Sequence, residues 1–289
     1  MKMGKFDGKI CLVGGNLGKM KKDAFKIGLG GIIAKQMIEQ GAQEVCLVDT
    51  DFAITKACAE LIGGNVKAYE CDFFTERTYE IEAYVDDRGK NKTKVVWKNF
   101  PALKMVEDIV AEFGKLDVLI TNFDKFERKR VDQTDMELFD YLRDQNVWPT
   151  FHLLSAVRDQ LSTQRKTQGT YAKVVILTSM LGKAGMSAGA IWAAFKGAMI
   201  GLTKSLAREF GRFANVNAVA IGPLSEKKMQ GPKDRVKGAY LVTSSDLSNQ
   251  PMTFEKVSPM VLLLASDDAI GINGQSISVD GGLWLKLEQ

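Results

Sequence analysis

The chain has 289 residues, of which 45% are hydrophobic and 26% are charged. This length fits a single α/β domain over residues 1–289, with enough apolar side chains for a large core. The net charge of +4 is too small for the concentrated basic face that nucleic-acid binding needs, so nucleic acid is excluded as an expected partner.

Short apolar runs alternate with segments of helical periodicity along the chain. Strands are predicted at Ile10–Val13, Glu44–Val48, Val66–Glu70, Leu116–Ile120, Lys173–Leu177, Val216–Ala220 and Gln275–Val279. Helices are predicted at Gly31–Gln40, Ala53–Ile62, from Pro101, at Met136–Leu161 with a bend at Pro149, and at Ala190–Phe210. The alternation predicts a Rossmann-type, doubly wound parallel sheet between two layers of helices, with ligands at the carboxyl ends of the strands.

Two segments interrupt this alternation. Residues 76–99 are charged and turn-rich with some aromatic and β-branched content, which indicates an inserted excursion of hairpin type. Residues 19–27 lie inside the first strand-to-helix connection and carry Lys19, Lys21, Lys22 and Lys26. These lysines have two interpretations: a solvated loop, which we take first, or a loop that holds an anionic group such as a nucleotide phosphate or a coenzyme A tail.

The cysteines and the N-terminus indicate the compartment. The four cysteines have no CxxC spacing; they are Cys11, Cys46, Cys58 and Cys71. A free cysteine in or beside an apolar strand behaves as a small hydrophobic side chain. The first apolar run is far too short for a signal peptide or a membrane helix. We therefore expect a cytoplasmic protein in a reducing environment, with no metal site and no membrane association.

A series of motifs in fixed order resembles the short-chain dehydrogenase/reductase family over nearly the whole chain. These motifs are Phe6-Asp7-Gly8-Lys9, Cys71-Asp72, Asn122, Thr178-Ser179, Lys196, Val216-Asn217-Ala218 and Val279-Asp280-Gly281-Gly282. The resemblance implies an NAD(P)-dependent oxidoreductase fold. In working members, an Asn, Ser, Tyr and Lys tetrad moves the proton while NAD(P) takes or gives hydride.

The resemblance assigns three of the four tetrad positions. It implies that Ser179 bonds the substrate oxygen, that Asn146 holds a water in the proton relay, and that Lys196 binds ribose and lowers the tyrosine pKa. The tyrosine position, four residues before Lys196, holds Trp192. Indole has one N–H donor, no acceptor and no proton to release near neutral pH. Losing a positioned acid or base lowers a rate by about 10²–10⁴, so the tetrad is predicted to be vestigial.

The cofactor positions also depart from the family pattern. The family's glycine turn has a Gly, three residues, then Gly-x-Gly opening a helix, so that backbone N–H groups hold the pyrophosphate. Gly28 and Gly30 match its second half, but Gly15 lies 13 residues before Gly28. Asp49 matches the acid that bonds the ribose 2′-hydroxyl of NAD, and Asp72 matches the residue beside the adenine.

Two further motifs of the cofactor site are altered. The family's Asn-Asn-Ala-Gly is Thr121-Asn122-Phe123-Asp124, which places a phenylalanine ring where alanine leaves room for adenosine. The expected Pro-Gly is Ile221-Gly222, and the threonine that meets the nicotinamide amide is Glu226. Asn122 therefore remains in a site that is predicted to be degraded for NAD.

Three functions stay open. The first, which we expect, is a non-catalytic subunit that binds no cofactor and assembles with an active NAD-dependent relative as a heterodimer or heterotetramer. The resemblance implies contact through the helices at 136–161 and 190–210 and through the C-terminal region at Leu283-Trp284-Leu285. The second is an active dehydrogenase in which Lys196, or Tyr240 of the substrate loop 227–256, replaces the tyrosine. The third is a ligand-binding module without chemistry.

Overall fold

The computed structural model describes residues 4–22, 24–86, 88–222, 224 and 252–282. Its strands are β1 (Ile10–Gly14), β2 (Gly18–Lys21), β3 (Ala24–Ile27), β4 (Glu44–Val48), β5 (Val66–Ala68), β6 (Thr78–Val85), β7 (Asn91–Asn99), β8 (Val118–Thr121), β9 (Ala172–Ser179), β10 (Ala214–Ile221) and β11 (Ser276–Val279). Its α-helices are α1 (Leu29–Glu39), α2 (Phe52–Ile62), α3 (Pro101–Phe113), α4 (Met136–Asn146), α5 (Trp148–Gln168), α6 (Leu181–Ala184), α7 (Ala190–Glu209) and α8 (Phe254–Ala265).

Seven strands form the central parallel sheet, in the order β11-β10-β9-β8-β1-β4-β5. Side chains alternate along β1, so that Ile10 and Leu12 pack with α3 and α5 while Cys11 and Val13 pack with α1 and α8. The predicted doubly wound sheet with helices on both faces is confirmed. The strand order reverses between β1 and β8, and ligands of such sheets bind in the crevice at this point.

The segment predicted as one long helix is two helices. α4 ends at Asn146 and α5 begins at Trp148, with Val147 between them. Pro149 lies in the first turn of α5, where the missing proline N–H costs no helical hydrogen bond. The helical segment is therefore interrupted beside this proline, and α5 continues to Gln168, beyond the predicted end.

The segment 76–99, predicted as an excursion of hairpin type, forms the antiparallel hairpin β6–β7, which we call the arm. On one face, apolar side chains pair across the strands, with Tyr79 opposite Trp97 and Ile81 opposite Val95. The other face carries cross-strand ion pairs, Lys94–Glu82 and Lys98–Glu80. The side chains of Ile81 and Val95 are 65% and 51% exposed, so the arm presents an apolar face to solvent.

An aromatic cage fixes the base of the arm to α5. The Arg77 guanidinium carbon lies 5.0–5.4 Å from the ring centroids of Trp97, Phe100, Trp148 and Phe151. A guanidinium at this distance from an aromatic ring is attracted by the ring's quadrupole. The arm is thus held to the body by cation–π contacts as well as by the chain itself.

No helix in the part of the chain that the structure describes has both the length and the apolar character that crossing a membrane requires. Within the same residues, no group of three or more His, Cys, Asp or Glu side chains is placed to hold a metal ion. All four cysteines are buried and free.

His152 predicts a pH dependence of stability. Its side chain is fully buried, and neither ring nitrogen has a hydrogen-bond partner among the described residues. Burial lowers the pKa of His152 to about 4, with a smaller contribution from the Arg77 charge. The unfolded chain protonates this group near pH 6.5, so its contribution to stability falls as the pH drops from about 6.5 to about 4. The difference between the two pKa values corresponds to a loss of about 3 kcal/mol in the free energy of unfolding.

Urea denaturation of the wild type and His152→Leu at several pH values tests this prediction. His152 is the only histidine of the chain, so the variant removes its titration without touching another imidazole. The difference in unfolding free energy between the two proteins should shift by about 3 kcal/mol in favour of the variant between pH 7.5 and pH 4. Parallel pH profiles would contradict it.

Candidate functional site

A cavity of about 210 Å³ lies at the carboxyl ends of β8, β9 and β10, beside the connection from β1 to α1. Five of the sequence-predicted site positions line it: Asn122, Ser179, Trp192, Lys196 and Gly28. The other predicted positions are outside its lining within the described ranges; they are Gly15, Gly30, Asp49, Asp72 and Asn146. The fold thus brings the serine, the tryptophan and the lysine to one cleft.

Trp192 is bonded to a carboxylate that it shares with Lys196. The indole Nε1 donates to Asp124 Oδ1 at 3.0 Å, and Lys196 Nζ lies 3.1 Å from the same oxygen. Lys196 Nζ also donates to the Phe123 carbonyl at 2.9 Å. Trp192 is 7% exposed and meets the Phe126 ring edge-on, with centroids 5.1 Å apart. Because the single indole proton is engaged with Asp124, Trp192 cannot donate it to a ligand without breaking this bond.

The Ser179 hydroxyl lies at the cleft but is bonded to backbone. It accepts from Leu181 N at 3.2 Å and donates weakly to the Ile221 carbonyl at 3.4 Å. The preceding Thr178 donates to the Lys196 carbonyl at 2.7 Å, which ties β9 to α7. Ser179 and Lys196 are therefore held in adjacent positions by packing of β9 against α7.

Asn146 acts as a backbone clamp in this structure. Its Nδ2 donates to the carbonyls of Lys125 and Leu142, and its Oδ1 accepts from Lys125 N. Three hydrogen bonds use most of the capacity of the amide, which is 1% exposed. The side chain thus fixes the segment after β8 against α4.

The segment 19–27, first interpreted as a solvated loop, belongs to the hairpin β2–β3, which we call the lysine hairpin (Gly18–Ile27). Its base is closed by Gly28 N donating to the Leu17 carbonyl at 2.8 Å, and Gly30 N donates to the Asn16 carbonyl at 3.0 Å. A Cβ on Gly28 would lie 2.2 Å from the Asn16 oxygen, so only glycine allows this approach. The amides of Gly28 and Gly30 at the start of α1 therefore bond within the protein.

The two predicted acids of the nucleotide site have internal partners. Asp49 accepts from Leu17 N at 3.2 Å and from Thr50 N at 2.8 Å. Burial raises the pKa of Asp49, and these backbone donors oppose the rise. The Thr75 hydroxyl and the Phe74 N–H lower the pKa of Asp72, whose carboxylate caps the turn that follows it.

Phe123 fills the wall behind the glycine turn. Its ring is 4% exposed and packs edge-on against Phe73, with centroids 5.3 Å apart. A Cβ on Gly15 would lie 2.7 Å from Phe123 N and 2.8 Å from its ring, so the turn and the ring are in close contact. The neighbouring Asn122 holds the turn through its backbone, donating to the Gly14 carbonyl at 2.7 Å.

Sequence reasoning missed the role of Asp124. It was noted only as a departure from the family motif, yet it is the acceptor for both Trp192 and Lys196. The sequence carried one signal of this role. A carboxylate, Asp124, stands where the family has glycine, while an indole N–H donor replaces the tyrosine and the lysine is kept. Two other predicted residues, Glu226 and Tyr240, lie outside the described residues, as does most of the loop 227–256.

Substitution of Asp124 should destabilise the fold measurably. Asp124→Ala removes the acceptor for the indole N–H and the carboxylate beside the buried Lys196 ammonium, so we expect the free energy of unfolding to fall by about 3 kcal/mol. Asp124→Asn keeps an acceptor and should cost less. The matched control is Asp132→Ala, which removes an exposed pair with Arg130 and should cost less than about 1 kcal/mol. Equal losses at the two aspartates in urea denaturation would contradict the prediction.

Comparison with known proteins agrees with this architecture. A family model described as Enoyl-(Acyl carrier protein) reductase matches residues 101–284. The chain is 30% identical over 268 residues to the 3-oxoacyl-(acyl-carrier-protein) reductase FabG of Staphylococcus aureus, covering 92% of this chain and 100% of that protein. It is 28% identical to the FabG of Haemophilus influenzae, covering 96% and 99%.

A solved structure shows the same fold. It is assigned to the short-chain dehydrogenase/reductases of Burkholderia xenovorans and aligns with a TM-score of 0.74 at 24% identity, covering 98% of each chain. At 24% identity this structural similarity shows only that the fold is the same. The family is shown by the family model and by the relative at 30% identity. The chain belongs to the short-chain dehydrogenase/reductase family.

Proposed function

We propose that this chain is a non-catalytic subunit of an NAD-dependent alcohol or 3-hydroxyacyl-CoA dehydrogenase, which assembles with an active paralogue of the same family and stabilises it. The observation that carries the proposal is the bond from Trp192 to Asp124, with Lys196 on the same carboxylate oxygen. Oxidation of an alcohol needs a group that accepts the hydroxyl proton. Indole cannot accept one, and the lysine ammonium is held by Asp124 and the Phe123 carbonyl.

The glycine turn supports the same proposal, because two of its backbone donors are already used within the protein. A pyrophosphate needs free backbone donors at the helix start, but Gly28 N and Gly30 N already bond to carbonyls. The Asp49 carboxylate, which a ribose hydroxyl would use, accepts from Leu17 N and Thr50 N. We therefore assign no cofactor to this chain and place NAD in the active partner.

The names of the relatives support the proposed reaction class. The FabG proteins are named as reductases of 3-oxoacyl groups, and the reverse of such a reduction is oxidation of a 3-hydroxyacyl thioester. Trp192 together with the lengthened turn most resembles the silent subunit of the heteromeric 2-(alpha-hydroxybenzyl)succinyl-CoA dehydrogenase of anaerobic toluene degradation. The active paralogue would supply the tyrosine, in a heterodimer or heterotetramer.

Exposed apolar surface supports assembly, both on the helices expected to meet a neighbour and on the arm. On those helices Leu142, Leu154 and Met199 are buried in the chain's own core, whereas Ala198 is exposed and Phe139 and Leu202 are partly exposed. Phe151 on α5 is 38% exposed and also contacts Arg77 at the base of the arm. The apolar face of the arm therefore leads to the start of α5, and we propose this surface as the contact with the paralogue.

The isolated chain should show no turnover, and a tyrosine alone should not restore it. We expect wild type, Trp192→Tyr and the control Trp192→Phe all to oxidise NADH with acetoacetyl-CoA at least about 10²-fold more slowly than a tyrosine-containing relative. Steady-state absorbance assays measure this, and calorimetric titration measures NADH binding. Turnover by wild type would favour the alternative of an active, atypical dehydrogenase, whereas turnover by Trp192→Tyr alone would show that the glycine turn still binds NAD.

Co-expression with an intact Tyr-x-x-x-Lys paralogue from the same genome tests assembly. We expect co-purification, and we expect Ile81→Glu/Val95→Glu on the apolar face of the arm to reduce recovery of the paralogue at least about tenfold. The matched control is the charge swap Glu82→Lys/Lys94→Glu on the opposite face of the arm, which should retain it. Failure of the wild type to co-purify would count against the whole proposal; equal recovery with the two variants would count against the arm.

A further inference from the structure

The lysine hairpin is amphipathic, and its charged side faces the cleft. Phe25 and Ile27 pack against the core that contains α1, and the hairpin contacts α2. Lys19 and Lys26 are direct cross-strand partners, so their side chains share one face of the hairpin. Both lysines line the cavity. The insertion therefore places two ammonium groups at the mouth of the cleft.

The charged side chains of the described lining favour an anion. Lys19, Lys26 and Lys196 line the cavity, whereas Asp124 is the one carboxylate among its described lining residues. Lys19 and Lys26 lie opposite each other on the hairpin, so one anionic group can be attracted by both ammonium groups.

A second, independent observation lies deeper in the cleft. Asn122 lines the cavity and is 4% exposed, and its Nδ2 has no hydrogen-bond partner in the described parts of the chain. A buried amide donor without a partner costs free energy, which a ligand oxygen recovers by accepting from it. The donor therefore indicates a ligand with an acceptor oxygen.

Most of the remaining lining side chains are apolar. They include Trp192, Leu181, Phe126, Ile221 and Phe254. The Trp192 and Phe126 rings meet edge-to-face, and the indole N–H donates to Asp124. Such a surface suits an aromatic or short alkyl group, and the Ser179 hydroxyl, which also lines the cavity, is bonded to backbone.

We propose that this cleft binds an organic anion that is not a dinucleotide: an aromatic or short alkyl body with a terminal phosphate or carboxylate. The body packs against Trp192, the anionic group lies between Lys19 and Lys26, and an oxygen of the ligand accepts from Asn122 Nδ2. Such binding does not depend on assembly with a paralogue. The cleft binds the ligand and does not catalyse a reaction on it.

Isothermal titration calorimetry of the full chain tests this proposal with four probes and NADH. Phenyl phosphate and 3-phenylpropionate carry a ring with each anionic group, inorganic phosphate has no body, and benzyl alcohol has no charge. We expect at least one of the two organic anions to bind with a Kd of about 1 mM or tighter, and inorganic phosphate and benzyl alcohol to bind at least about tenfold more weakly. The better organic anion identifies the headgroup.

Variants with matched controls separate specific binding from general attraction. Lys19→Glu and Lys26→Glu should each raise the Kd by roughly tenfold or more, while Lys21→Glu, the same charge change nearer the hairpin tip, should change it less than about twofold. Asn122→Leu should also weaken binding. Its control is Thr121→Val, because the Thr121 hydroxyl is likewise buried without a partner among the described residues but does not line the cavity.

Four results would overturn the proposal. They are no binding of either organic anion, inorganic phosphate binding as tightly as phenyl phosphate, equal effects of Lys21→Glu and Lys19→Glu, and tighter binding of NADH than of both organic anions. The lysines are exposed on the hairpin, so their substitution should leave the melting temperature nearly unchanged. Thermal unfolding of each variant checks that a lost titration signal comes from the site.

Discussion

The geometry of the cleft depends on one carboxylate. Asp124, at the end of the central strand β8, accepts from the Trp192 indole and neutralises Lys196, both of which are on α7. A buried ammonium is tolerated only beside a counter-charge, and a buried indole N–H needs an acceptor. A single residue meets both needs. Trp192, at the position where the family has its tyrosine, thus joins α7 to the segment after β8 through its hydrogen bond to Asp124.

The second change lies at the neighbouring strand end. The lysine hairpin enters between Leu17 and Gly28, where family members have a tight turn, and the amides of Gly28 and Gly30 donate to the carbonyls of Leu17 and Asn16 just before it. The insertion leaves the sheet intact, because β1 and α1, which flank the insertion, both pack in the same hydrophobic core. Lengthening a surface connection costs little free energy. The central sheet therefore keeps its parallel strand order beside the insertion.

The sequence predicted the fold well because strand and helix periodicities are local properties. The four-residue spacing of Trp192 and Lys196, noted in the sequence, puts both side chains on one face of α7 because of the helical repeat. The sequence did not predict that Asp124 bonds them, because the partners are 68 residues apart and only the tertiary fold brings them together. Nor did it predict the clamp at Asn146, whose family role suggested a water relay rather than three backbone contacts.

In each inserted hairpin, the two strands form their backbone hydrogen bonds with each other. The lysine hairpin ends with Gly18 opposite Ile27, and the arm ends with Thr78 opposite Asn99, so each leaves the body and returns at adjacent points. Neither hairpin contributes a strand to the central sheet. Another segment with closely spaced ends could therefore be joined at either point without adding a strand to the seven-stranded sheet or removing one from it.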